Sequence, residues 1–184
     1  EFEKYYKKFY LPSARGGGGG AKKRYAGLLL QDHEEEITFS GMEFVRSDWT
    51  KVAKKFQYEL FHRLFYNEDM ENFIRNFVEE VKEGEHDGEL IYKKRLTKPV
   101  NEYVKSIPPH VKAAKMLEDQ GLKASRTVEY VMTRRGPVPI ELEHSDIDYQ
   151  HYIDKQIKPL ADDILLLFEK SFDDLVQGDQ LTLF

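Results

Sequence analysis

The chain has 184 residues, with 33% charged and 40% apolar side chains, no cysteine and a formal net charge of −5. That balance fits one globular domain, or one and a half small ones, and excludes disulfides and thiolate metal sites. No apolar run approaches the length of a membrane span, and the start, Glu1-Phe2-Glu3-Lys4, has neither Met nor the pattern of a signal peptide.

Glu1 to Tyr10 alternates loosely, is rich in aromatics and predicts a strand, ended by Leu11-Pro12-Ser13. It opens mid-pattern, as a piece of a longer protein would. Gly16 to Gly20 is a low-complexity loop. No Gly-Lys-Ser/Thr follows it and the next stretch reads as a strand, which argues against a phosphate-cradling P-loop. Arg24 to Leu30 predicts the second strand and Glu35 to Phe39 the third, joined as a hairpin by the polar turn from Gln31. Ser47-Asp48 offers a helix N-cap, after which Val52, Ala53, Phe56, Leu60 and Leu64 recur at helical spacing to about Tyr66. Lys51, Lys54, Lys55 and Arg63 occupy the other faces of that helix.

A second helix runs from Asp69, with Met70, Phe73, Ile74, Phe77, Val78 and Val81 on one face, and closes at Gly84. Leu90 to Leu96 is short enough to be strand or helix, and a helical stretch is expected from Lys98 to Val104. Pro109 starts a helix to about Gln120, stopped by Gly121. Thr127 to Thr133 and Val138 to Leu142 predict a hairpin around Arg134-Arg135-Gly136-Pro137. Asp148-Tyr149 opens closing helices in which Ile153, Ile157, Leu160, Ile164, Leu165, Phe168, Phe172 and Leu175 form the apolar stripe. Pro159 is expected to kink or split them and Gly178 to end them. The fold class is therefore α+β, helix-dominated: a few antiparallel strands at the N-terminus, then a mainly helical region with a small β-hairpin.

The charge is distributed unevenly. Residues 1–66 carry 12 Lys and Arg against 9 Asp and Glu, residues 67–140 carry 13 against 13, and residues 141–184 carry 3 against 11. Between Tyr92 and Lys115 stand Lys93, Lys94, Arg95, Lys98, Lys105, Lys112 and Lys115, with Glu102 as the only acid. A local cluster of this kind suits a polyanion even in an acidic chain. The densest short tract is Lys22-Lys23-Arg24-Tyr25-Ala26-Gly27. On a strand, Lys23 and Tyr25 would share one face and Lys22 and Arg24 the other. Lysine supplies a mobile charge and tyrosine a hydroxyl on a stiff ring, both suited to phosphate. The same four residues also read as an ordinary solvated strand end.

Two stretches set about twenty residues apart, KKRYAG and then Gly41-Met42-Glu43-Phe44-Val45-Arg46-Ser47-Asp48-Trp49, resemble the carboxy-terminal palm and thumb region of family B DNA polymerases of the bacterial DNA polymerase II-like kind. The likeness continues in order through Leu90 to Leu96, Tyr103, Pro108 to Ala114, Tyr130-Val131-Met132, and Asp148-Tyr149 to Pro159. No one of these is specific, but the ordered set covers most of the chain. The resemblance implies the end of a palm over residues 1–48, a thumb over 49–178 and a tail over 179–184. It implies that Lys22 and Lys23 reach the minor groove or primer backbone, with Arg24 beside them, and that Tyr25 reaches a primer phosphate. Arg46, Asp48 and Trp49 would lie at the palm–thumb junction, Asp48 pairing with Arg46 or capping a helix and Trp49 packing. Lys93, Lys94 and Arg95 would be further contacts to primer–template DNA, mainly to phosphate and so independent of sequence.

The family holds two Mg2+ ions on palm aspartates, within D-x-x-S-L-Y-P and Y-G-D-T-D signatures that are absent here. The resemblance therefore places the metal and the nucleotidyltransferase chemistry in the remainder of a parent chain, with no cofactor in this stretch and no activity expected of it alone. Asp146-Ile147-Asp148 is the nearest look-alike and reads as helix-start acids. His33, His62, His86, His110, His144 and His151 are scattered, without ligand spacing.

The end, Gln180-Leu181-Thr182-Leu183-Phe184, resembles the bacterial sliding-clamp-binding peptide. Leu183 and Phe184 would fill an apolar pocket, flanked by Leu181, and Gln180 would hydrogen-bond its wall. A tail folded back on the thumb is the other reading. The resemblance implies replication restart and repair synthesis in the bacterial cytoplasm, at the nucleoid, with no membrane partner. The competing readings are a stand-alone DNA-binding adaptor and a module whose only activity is the clamp peptide.

Overall fold

The structure, a computed structural model, describes residues 4–12 and 23–177. The expectations that fall on the start of the first strand, on the glycine run, on Lys22, on Gly178 and on Gln180 to Phe184 lie outside the described residues. Among the described residues no helix is long and apolar enough to cross a membrane.

The fold is α+β, built on two three-stranded antiparallel sheets. The first sheet orders β1 (Tyr5–Tyr10), β2 (Tyr25–Gln31) and β3 (Glu34–Ser40) side by side. Asp32 and His33 join β2 to β3, both with positive φ, 52° and 69°. A two-residue loop with both centres left-handed matches the twist of the strands it joins. One face of this sheet packs on the helix α1 (Lys51–Tyr66), with Phe61 edge-on to Tyr10 at 5.1 Å and to Phe39 at 5.5 Å.

The N-cap of α1 is Thr50, not Ser47-Asp48. Thr50 Oγ1 accepts from the Ala53 N–H at 3.4 Å, whereas Asp48 is held by Arg46. Helix α2 (Glu71–Lys82) buries Ile74, Phe77, Val78 and Val81, as its periodicity predicts. Gly84 follows with φ 83°, a conformation that suits glycine.

The segment at Leu90–Leu96 is strand β4 (Tyr92–Arg95), which joins β5 (Thr127–Thr133) and β6 (Gly136–Pro139) in the second sheet. The hairpin turn is tighter than its sequence predicts. Thr133 pairs directly with Gly136, so Arg134-Arg135 alone make the loop and the return strand starts at Gly136 rather than Val138. No helix forms from Lys98 to Val104; a single 3-10 turn, Val100–Glu102, stands there. Val100 is buried and Tyr103 packs beside it, but Val104, one helical turn beyond Val100, is 81% exposed, so burial does not extend past that single turn. Helix α3 (Pro109–Asp119) begins at its proline, and Gly121 follows with φ 76°.

The closing helical segment runs through α4 (Tyr149–Tyr152), a π-helical turn (Ile153–Ile157) and α5 (Lys158–Leu165), then a 3-10 turn and α6 (Phe172–Gln177). Pro159 explains the π turn. It has no N–H to donate, and its ring crowds the carbonyl four residues earlier, at Lys155. The added residue per turn absorbs both effects without breaking the helix.

The apolar residues form two clusters. The larger joins the first sheet, α1, α2, α5 and α6; the smaller lies between the second sheet and α3. Tyr92 and Met132 pack against both. Tyr92 is the middle ring of a stack, 5.3 Å from Tyr130 and 5.4 Å from Tyr152, with interplanar angles near 20°. Its hydroxyl lies 2.9 Å from His151 Nε2, and the Tyr152 oxygen accepts from the Met132 N–H at 2.8 Å. The seam between the two clusters is thus aromatic and hydrogen-bonded.

Burial holds the His151 imidazole below its ordinary value, with Asp148 partly opposing. The unfolded chain therefore takes up a proton on His151 at a higher pH than the folded chain does. That contribution to stability is present above the unfolded value, 6.5, and is lost as pH falls from there toward the folded value. Urea unfolding across about pH 5–7 is expected to show stability rising with pH, with a shallower slope in His151→Gln. An identical slope in the variant would contradict this assignment.

Candidate nucleic-acid interface

The two motifs of the N-terminal third meet in space. Lys23 sits in a turn with φ 85°, and β2 begins only at Tyr25. The expected strand alternation of Lys23 with Tyr25 therefore does not hold. The Lys23 carbonyl accepts from Ser40 Oγ at 3.1 Å, and its side chain is exposed. Gly41 lies against that turn: with φ 60°, a Cβ there would stand 2.6 Å from the Lys23 carbonyl oxygen. The first residue of the second motif is thus glycine because the backbone of the first motif passes over it.

Arg24 turns inward. Its Nη2 donates to Glu43 Oε1 at 2.7 Å, and the Glu43 side chain is only 4% exposed. Glu43 Oε2 accepts from Gln57 Nε2 at 2.9 Å, and Gln57 Oε1 accepts from the Phe44 N–H at 2.7 Å. The pair ties β2 to α1. Arg24, expected among the DNA-contacting cations, pairs with Glu43 with its side chain 23% exposed.

Tyr25 stacks on Phe9 at 4.9 Å and stands edge-on to Tyr6 at 6.2 Å, over the sheet face opposite α1. A Cβ on Gly27 would come 2.5 Å from Tyr6 Cδ1, so the absence of a side chain lets the Tyr6 ring lie flat on the strand. Hydrogen bonding with Tyr6, then its charge and burial, raise the Tyr25 phenol, which stays a neutral donor at ordinary pH.

Arg46 and Asp48 form a bidentate pair at 2.7 and 3.0 Å. That pairing raises the guanidinium and lowers the carboxyl. Trp49 is half-buried and packs against the larger core. On β4, Lys93 pairs with Glu129 across the ladder. Lys94 and Arg95 are exposed and make no ion pair among the described residues. Lys94 lies near enough to Asp48 to help hold its carboxyl down. Of the eight expected DNA-contacting residues, Lys22 and its side chain lie outside the described residues. Lys23, Lys94 and Arg95 present free charge, Arg46 and Lys93 present paired charge, Tyr25 presents an aromatic surface, and Arg24 is withdrawn. Lys51 and Lys54, one turn apart on α1, are further cations near β4; their i, i+3 spacing was visible in the sequence.

Among the described residues no group of three or more His, Asp or Glu is placed to hold a metal ion. Asp148 caps α4, accepting from the His151 N–H at 3.0 Å. Asp146 is not at the helix start: it sits in a turn with φ 69°, 3.5 Å from Arg134 Nε. These residues do not fit the palm metal site, and no reaction step is assigned to them.

Residues 1–174 match the family described as DNA polymerase family B, and the chain belongs to that family. It is similar to DNA polymerase II of Escherichia coli strain K12, at 40% identity over 192 residues, covering the whole chain and 24% of that protein. It is also similar to a DNA polymerase of Methanocaldococcus jannaschii, at 34% identity over 84% of the chain and 10% of that protein, and to one of Pyrococcus horikoshii, at 31% over 79% and 13%. The chain thus spans a quarter or less of the length of these relatives.

Breaking the Arg24–Glu43 pair by Arg24→Met strands a buried carboxylate. A loss of about 3 kcal/mol in chemical unfolding is expected. Adding Glu43→Gln removes the stranded charge and should restore most of that loss. Equal losses in the single and double variants would show that the pair does not couple the motifs.

Proposed function

We propose that this chain is the C-terminal palm-end and thumb of a DNA-directed DNA polymerase of the DNA polymerase II kind, and that it grips primer–template duplex behind the site of synthesis. Residues 1–48 would belong to the palm, 49–178 to the thumb and 179–184 to a clamp-binding tail. The observation that carries the reading is the pairing of the KKRY turn with the GxExVRxDW segment through Arg24 and Glu43, which leaves Lys23 pointing outward. Exposed cations on β4 extend the same character. Contacts of this kind go to phosphate, read no sequence and weaken with salt.

Lys22, Lys23, Lys94 and Arg95 carry charge to the duplex backbone, and Tyr25 offers its hydroxyl to a primer phosphate. Arg46 and Lys93 contribute weakly, since each shares its charge with a carboxylate. The catalytic carboxylates and their Mg2+ ions belong to the remainder of the polymerase chain, so this stretch is inactive alone. Gln180, Leu181, Leu183 and Phe184 dock a bacterial sliding clamp, and the tether raises the effective concentration of enzyme at the primer end. Replication restart and repair synthesis are the settings in which such a polymerase would work.

The test is binding of a labelled primer–template duplex at two salt concentrations, with Lys22→Ala/Lys23→Ala in parallel. Binding that weakens with salt, and weakens again by a similar factor on unrelated duplex sequences in the double variant, is expected. Absence of binding at low salt would overturn the duplex reading. In the same preparation, removal of residues 180–184 should abolish capture by a bacterial sliding clamp, and capture that persists without them would overturn the tail assignment.

A further inference from the structure

Next to β4 lies a cleft that Ser47 and Trp49 of the second motif help to line but whose free cations, Lys51 and Lys54, belong to neither motif. It opens between the N-terminal end of α1, the 3-10 turn Asp87–Glu89 and the start of β4, and has a volume of about 310 Å3. Its walls include Ser47, Trp49, Lys51, Lys54, Lys93 and Glu129. Three ammonium groups thus face one carboxylate. Lys93 and Glu129 neutralise each other across the ladder. Lys51 and Lys54 make no ion pair and no side-chain hydrogen bond among the described residues, so the cleft carries two uncompensated positive charges.

Folding alone does not explain that arrangement. Like charges one turn apart on a helix repel and destabilise it by a few tenths of a kcal/mol. Glu89, in the neighbouring 3-10 turn, pairs with Lys55 at 3.1 Å. Lys54 is only half-exposed, so its charge stands against a low-dielectric wall where a concave surface concentrates the field. Trp49 supplies an apolar ring at the edge of the same cleft, and Ser47 a hydroxyl donor.

We propose that this cleft takes one phosphodiester of a nucleic-acid backbone, with Lys51 and Lys54 carrying its charge, Ser47 donating to it and Trp49 flanking the adjoining sugar. The proposal rests on the duplex-binding reading above and adds a contact outside both the KKRY turn and the free cations of β4. Two lysines act here as point charges, which suits a phosphodiester whose orientation varies as the duplex advances.

Trp49 is the single tryptophan of the chain, so intrinsic fluorescence reports on this cleft. The test titrates the full chain with primer–template duplex, following Trp49 fluorescence and the anisotropy of a labelled duplex over a series of salt concentrations. Lys51→Ala/Lys54→Ala should lose the fluorescence response and lower the slope of log affinity against log salt by about 1, while Lys51→Arg/Lys54→Arg keeps both. Lys94→Ala/Arg95→Ala should lower the slope but keep the fluorescence response. If the Lys51/Lys54 variant matches the wild type in slope and fluorescence, the cleft is not a phosphate site, although duplex binding stands. If the wild type binds no duplex at low salt, both the cleft and the duplex reading fall. A fluorescence response to inorganic tripolyphosphate with none to duplex would overturn the backbone assignment in favour of a free polyphosphate.

Discussion

Gln156 holds the two halves of this structure in register. Its side-chain oxygen accepts from both the Thr50 N–H, at 3.1 Å, and the Thr50 hydroxyl, at 2.7 Å, across 106 residues of sequence. Thr50 in turn caps α1. Gln156 lies in the π turn, one turn beyond Tyr152, whose ring stacks on Tyr92 of β4. The N-terminus of the longest helix and the first strand of the second sheet are therefore fixed by one short helical segment. All of these groups are buried or half-buried, so each unmade hydrogen bond would carry its full desolvation cost. The π turn that aims Gln156 at Thr50 follows in its turn from Pro159.

This constraint gives the cations their positions. With α1 anchored at Thr50, the segment from Arg46 to Trp49 is held beside β4, and the lysines of the first turn of α1 face Lys93. One turn further along α1, Arg24 and Glu43 fasten the KKRY turn to the same helix through Gln57. The internal ion pair removes one cation from the surface and leaves Lys23 outside. Within this turn Arg24 faces the buried Glu43 carboxylate and Lys23 faces solvent.

Much of this was legible in the sequence where a local rule decides. The stripe of α2, the proline that begins α3 and the glycine past its end all follow from periodicity and backbone preference. So does the hairpin at Asp32-His33, although no glycine marks it. The failures are tertiary. Ser47-Asp48 has the composition of a cap, but the bidentate Arg46 occupies Asp48 and the distant Gln156 completes Thr50. Lys98 to Val104 buries Val100 but leaves Val104 in solvent, and it closes only one 3-10 turn. The partner of Arg24 stands in the next motif, 19 residues on, and neither motif alone reveals it. The ordered motifs identified the family, yet they could not separate a cation that faces solvent from one that faces a carboxylate.

Urea unfolding of Gln156→Leu, followed by Trp49 fluorescence and by far-ultraviolet circular dichroism, tests the Gln156–Thr50 tie most directly. Leucine fills similar space but leaves the Thr50 N–H and hydroxyl without their acceptor. A loss of about 1–3 kcal/mol, seen by both probes, is expected. Stability within about 0.5 kcal/mol of the wild type would contradict the claim that this residue ties the two halves together.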